Sequence, residues 1–65
     1  MEILAQRGDE VFLVKQGSKY YLVNTDTMQK ERIESPDVLY RQGYCVDPEP
    51  TKEQKIIIES LFDLF

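Results

Sequence analysis

Two β-rich runs, Val11–Gln16 and Lys19–Asn24, flank the dipeptide Gly17-Ser18, and their apolar residues fall on both sides of the hairpin they predict. A two-residue Gly-X connection is a strong hairpin signal, because glycine takes the positive φ that type I′ and II′ turns need. Such a turn sets the register: Gln16 opposite Lys19, Lys15 opposite Tyr20, Val14 opposite Tyr21, Leu13 opposite Leu22 and Phe12 opposite Val23. Side chains alternate along a strand, so Phe12, Val14, Tyr21 and Val23 share one face while Val11, Leu13, Tyr20 and Leu22 share the other. Each face needs a cover, and the rest of the chain is read for what supplies it.

Met1–Gln6 predicts a preceding strand, with Ile3 and Ala5 on one side and Leu4 on the other, joined to the hairpin by Arg7-Gly8-Asp9. That triplet matches the integrin-binding tripeptide, but glycine and aspartate are here turn residues. Thr25-Asp26-Thr27 is a second turn by composition. The segment Met28–Glu34 carries two signals. Its Met, Gln, Lys, Glu and Arg favour helix, with Asp26 and Gln29 at capping-box spacing, whereas its place after a strand and turn favours a fourth strand. The strand reading sets Met28, Lys30 and Arg32 on one side and Gln29, Glu31 and Ile33 on the other, a charged pattern that suits a sheet edge.

Ser35-Pro36-Asp37 predicts a helix start, with a capping serine, proline at the first helical position and an acid at the positive dipole end. Val38, Leu39 and Tyr40 then form a short middle helix that Gly43 stops. Tyr44-Cys45-Val46 is an extended apolar run, and Asp47-Pro48-Glu49-Pro50 a connector that its prolines hold extended or turned. Thr51 opens the last element, with Gln54 at capping-box spacing. Ile57, Ile58, Leu61, Phe62 and Phe65 recur at helical spacing, with Lys52, Lys55, Glu59 and Asp63 largely opposite. The stripe is the natural cover for one sheet face. Ile56 and Leu64 widen the apolar surface beyond it, which marks Ile56, Leu64 and Phe65 as candidate partner-binding residues.

The expected architecture is a single α+β domain over residues 1–65: a small antiparallel meander of three to four strands packed against a C-terminal amphipathic helix, with a short middle helix. A chain of 65 residues buries only about 60% of the surface its unfolded form exposes. With one cysteine and no histidine, disulfides and transition-metal sites are not the expected remedy, and self-association as a symmetric homodimer is. No run approaches the length of a membrane span, and Met-Glu-Ile is not a signal-peptide start. A cytoplasmic location follows as the expectation, with Cys45 a small buried hydrophobe in a reducing compartment.

Catalysis needs a nucleophile with its base, a tuned carboxylate pair, or a metal or cofactor. Without histidine, a glycine-rich phosphate loop or calcium-loop spacing, the chain predicts no enzyme, no cofactor and no metal. The formal charge of −4 and pI near 4.6 oppose duplex nucleic-acid binding, which needs a basic face. The reading adopted is a small intracellular, non-catalytic protein–protein interaction module, an adaptor, regulator or phage-type inhibitor. The alternative is a single-stranded nucleic-acid binder that uses Lys15, Lys19 and Tyr20, since lysine beside an exposed tyrosine on a sheet can serve as a stacking platform.

One short resemblance accompanies these readings. Leu61-Phe62-Asp63-Leu64-Phe65 is similar to the peptide by which many bacterial replication proteins hold the sliding clamp, usually Gln-Leu-Ser/Asp-Leu-Phe and often terminal. Asp63, Leu64 and Phe65 match; Leu61 stands in place of the glutamine and Phe62 in place of the leucine. The resemblance implies a docking tail.

Overall fold

A computed structural model describes residues 1–35, 37 and 42–63. Four strands, β1 (Glu2–Arg7), β2 (Val11–Gln16), β3 (Lys19–Asn24) and β4 (Gln29–Ile33), precede one helix, α1 (Lys52–Asp63). The strands form one antiparallel sheet in the order β1-β2-β3-β4. The hairpin has the register its turn dictates, from Gln16 opposite Lys19 to Phe12 opposite Val23, with Gly17 at φ 65°. Within Met28–Glu34 the structure forms a strand over Gln29–Ile33, with Lys30 opposite Val23 and Ile33 opposite Tyr20, while Met28, expected on the Lys30 side of that strand, belongs instead to the turn before it. The short middle helix expected over Val38–Tyr40 lies outside the described residues.

The alternation expected in β1 is corrected by a bulge. Ile3 pairs with Val14, but Ala5 pairs with Leu13, leaving Leu4 as an extra residue between them. Ile3 therefore packs with Phe12 and Val14 under the helix, while Leu4 and Ala5 both join Leu13 on the opposite face. An inserted residue shifts the phase of everything beyond it.

Two cores result, one on each side of the sheet. Under α1, Phe12, Val14, Val23 and Ile58 are fully buried, with Ile3, Tyr21, Leu61 and Phe62 packed around them. On the other side, Ala5, Leu13 and Tyr44 are buried, and Leu4, Val11, Tyr20, Leu22 and Ile33 pack against them. Tyr44 is held there by its neighbour, because Cys45 makes an antiparallel bridge to Gln6 on the outer edge of β1, with N–H···O distances of 2.9 and 2.8 Å. The Arg7 guanidinium lies 5.7 Å from the Tyr44 ring.

The bridge also overturns the expectation of a buried Cys45. With Tyr44 turned onto the sheet, alternation sends the next side chain outward, and the Cys45 thiol is exposed.

Helix α1 begins with the capping box its sequence encodes. Thr51 N–H donates to Gln54 Oε1 at 2.9 Å, and Gln54 N–H donates to Thr51 Oγ1 at 3.1 Å. The Gln54 amide does more than cap, since Nε2 donates to the Asp9 carbonyl and to Thr25 Oγ1. Thr25 is itself buried, and its N–H and hydroxyl both donate to the Glu10 carbonyl, at 2.9 and 3.3 Å. One glutamine thus joins the start of the helix to the ends of β2 and β3. Among the described residues, no helix is long and apolar enough to cross a membrane.

Candidate functional site

The turn between β3 and β4 is organised by Asn24, whose Oδ1 accepts from Asp26 N–H at 2.9 Å and Thr27 N–H at 3.1 Å. An asparagine side chain that bonds its own backbone two and three residues on closes the turn without a glycine. The chain then re-enters the sheet through Met28 at φ 57°, the one non-glycine residue with positive φ among those described. Left-handed backbone costs a non-glycine residue on the order of 1–2 kcal/mol. Met28 bears a second cost, because its side chain is 61% exposed.

The exposed thioether lies beside α1. Ile58 faces the sheet and is fully buried, whereas Ile56, two positions earlier, points away and is 63% exposed. Met28, Ile56, Ile57, Ser60 and Leu61 together line an open, almost wholly apolar cleft of about 170 Å³ between the hairpin and the helix. Single exposed aliphatics are ordinary; here two from separate elements, Met28 and Ile56, border one cleft.

Lys30 holds this side of the helix in place. Its Nζ donates to the Leu61 carbonyl at 3.1 Å and stands 4.5 Å from the Phe62 ring and 5.4 Å from that of Tyr21. The two rings meet edge to face, with centroids 5.1 Å apart and planes at 79°. The last turn of α1 has no basic residue of its own, so a lysine from β4 supplies the positive charge that a helix C-terminus favours. Loss of hydration in this position lowers the Lys30 pKa. The cleft is therefore bordered by a helix end that is tied to the sheet.

Of the residues singled out from sequence, Ile56 is in the cleft, while Leu64 and Phe65 lie outside the described residues. Leu61 and Phe62, the first two positions of the clamp-like stretch, are helical and packed on the Phe12 core. Lys15 and Tyr20 are brought together, with Nζ 5.9 Å from the ring centroid. Lys19 is not part of that pair; it neighbours Tyr20 in β3 and opposes Gln16, so alternation places it on the other face. Tyr20 is half-buried against the Leu13 core.

Met28 and Lys30 were not legible as site residues. A signal existed for Lys30, since the strand reading puts it on the helix-covered face and the helix lacks a base in its final turn. No comparable signal marks Met28, because asparagine or glycine is the residue type expected at positive φ. No protein-family model, curated protein sequence or solved structure matches this chain.

Proposed function

We propose that the chain is a small, non-catalytic protein–protein interaction module, of the adaptor, regulator or inhibitor type, and that it docks through the Met28–Ile56 cleft. The observation that carries this reading is the contiguity of two strongly exposed apolar side chains from separate elements, Met28 at 61% and Ile56 at 63%, across an apolar cleft. Among the described residues, neither belongs to the buried cores. A cytoplasmic setting, with the Cys45 thiol free, belongs to the same proposal.

The test is capture from the native cell with tagged wild-type protein and an Ile56→Asp bait. The expected outcome is loss of the captured partner with an unchanged melting temperature. Retention of the same partner by the variant would overturn the assignment of the cleft.

One observation favours the nucleic-acid alternative, the lysine ammonium of Lys15 set over the Tyr20 ring. Against it stand the packing of Tyr20 into the second core and the net charge of −4. A labelled single-stranded oligonucleotide separates the two readings, because phosphate contacts weaken steeply with salt.

A further inference from the structure

We propose that the turn between β3 and β4 is a proton-sensitive latch: Glu10 and Asp26 share one proton when the pH falls, which fixes the turn, and release of that proton loosens the turn and with it Met28. The inference goes beyond the docking reading and does not depend on it, because it concerns the motion of one wall of the cleft and not its occupant.

The geometry joins the carboxyl pair to the cleft through a few residues. Val11 and Asn24 are paired at the ends of β2 and β3, so Glu10, just before Val11, meets the turn that starts after Asn24. Glu10 already holds that turn by its backbone, since its carbonyl accepts from the N–H and the hydroxyl of Thr25. Asp26 comes next, and its carboxyl lies within hydrogen-bonding reach of the Glu10 carboxyl. Two residues further on is Met28, at φ 57°, which lines the cleft with Ile56, Ile57, Ser60 and Leu61. Left-handed backbone at a non-glycine residue persists only where the surrounding bonds enforce it. Here Asp26 N–H and Thr27 N–H donate to Asn24 Oδ1, so a force on Asp26 acts on one of the contacts that keep Met28 in place.

Electrostatics supplies the force. Two carboxylates at one place repel when both are ionised and are joined by a hydrogen bond when one is protonated. The Glu10 pKa is raised first by that hydrogen bond and then by the Asp26 charge, with loss of hydration and the Asp9 charge adding to it. Cations of the surrounding elements are directed elsewhere. Arg7, opposite Val11 in β1, is set against the Tyr44 ring, and Lys30 of β4 is bonded to the Leu61 carbonyl. Helix α1 meets this end through the neutral Gln54 amide, which bonds the Asp9 carbonyl and Thr25 Oγ1. Of the charges beside Gln54, Lys52 and Glu53 are opposite in sign, and Lys55 borders a separate hollow with Met1 and Pro48. Loss of one proton thus turns attraction into repulsion at a strained turn, the kind of local charge change that biases a two-state element.

The test is a pH titration of the full chain, labelled with carbon and nitrogen isotopes for magnetic resonance, from about pH 8 to about pH 4, which spans the carboxylate range. With no histidine in the chain, imidazole does not contribute. The Glu10 carboxyl carbon is expected to titrate with a midpoint above the ordinary glutamate value. The amides of Asp26, Thr27 and Met28 and the Met28 methyl group should shift with that same midpoint, and their fast motion should diminish as the proton is taken up. Glu10→Gln keeps a donor to Asp26 and carries no charge, so it should hold the turn in its low-pH form throughout and flatten these titrations. Asp26→Asn should lower the Glu10 midpoint and remove the response at Met28.

The latch is overturned if Glu10 titrates at the ordinary value, or if it titrates high while Thr27 and Met28 do not respond. It is equally overturned if the Met28 shifts persist in Glu10→Gln. None of these outcomes bears on whether a partner occupies the cleft, which the Ile56→Asp capture tests separately.

Discussion

The two faces of the β2–β3 hairpin carry similar apolar content and are covered by different means. One lies under α1, a twelve-residue helix with a reciprocal cap at its start and Lys30 at its end. The other is packed by Tyr44, on an irregular segment held to β1 by the Gln6–Cys45 bridge. A helix brings its own backbone hydrogen bonds and presents a continuous stripe. An irregular segment has to find each backbone partner separately, as Glu49 N–H does in donating to Gln6 Oε1 at 2.7 Å. The difference teaches where surplus arises: a helix that seals one face with its inward side leaves an outward side free to be functional, and Ile56 is on it.

The largest expected effect asks whether the two faces are equally well packed. Phe12 and Leu13 are adjacent in β2, face opposite ways and are both fully buried. Phe12→Ala should cost about 3–5 kcal/mol and Leu13→Ala about 2–5 kcal/mol, the usual range for large-to-alanine changes in cores. A domain of this size has a total stability on the order of 3–10 kcal/mol, so either variant removes much of it. Urea titration checks both. If Leu13→Ala proves nearly neutral, the Tyr44 side is a loose cover and the symmetry of the two cores is only apparent.

Gly17→Val tests what the faces share. The turn has φ 65° at Gly17, which a β-branched residue resists at a cost of about 1–3 kcal/mol. Space is not the obstacle, since a Cβ there would meet no atom within 4 Å. Both cores should loosen together, in one transition whether followed through tyrosine fluorescence or helix dichroism. Two separated transitions would show that the faces unfold independently.

Gln54→Ala separates them, because Gln54 serves the helix side. Loss of a capping partner and of the bond to the Asp9 carbonyl should lower stability by about 1–2 kcal/mol. Gln54→Glu keeps an acceptor for Thr51 N–H and loses the donor to Asp9 and Thr25, so the share of the effect it recovers measures the cap alone. Equal losses in the two variants would assign the whole effect to the clamp on the strand ends.

These contrasts follow what the sequence made legible. Local signals with a fixed offset were readable: the Gly17-Ser18 turn with its register, and the Thr51/Gln54 box with the stripe behind it. Phase was not readable where nothing pins it. In β1 the run Ile3-Leu4-Ala5 is apolar throughout, so no alternation betrays the bulge that moves Ala5 to the Leu13 side. In Tyr44-Cys45-Val46 the same uniformity hides which residue turns inward, and that is decided by a backbone bridge to a distant strand. The candidate site divides similarly. Ile56 could be found because it stands off a periodic stripe, whereas Met28 depends on a turn closed by the Asn24 side chain, a tertiary geometry with no compositional trace.

The smallest expected effect is electrostatic and sits at the strand ends that Gln54 joins to the helix. Glu10 precedes Val11, Asp26 follows Asn24 by two residues, and Val11 and Asn24 are paired, which brings the two carboxyls together. The Glu10 pKa is raised, first by the hydrogen bond its protonated form shares with Asp26, then by the Asp26 charge, with desolvation and the Asp9 charge adding to it. A carboxyl whose pKa is raised on folding binds its proton more tightly in the folded state than in the unfolded one. Its stabilising contribution is complete below the ordinary carboxylate value and is lost as pH rises through the raised value. Glu10 therefore adds stability as the pH falls: between neutral and mildly acidic pH it should contribute a small rise in melting temperature. Glu10→Gln retains a hydrogen-bond donor toward Asp26 and has no charge to lose. It should melt slightly higher than wild type at neutral pH, with the two curves converging as the pH is lowered. A constant offset between them across that window would show that the Glu10 carboxyl does not take up its proton there, leaving Gln54 and Thr25 to account for the coupling of helix and hairpin at this end.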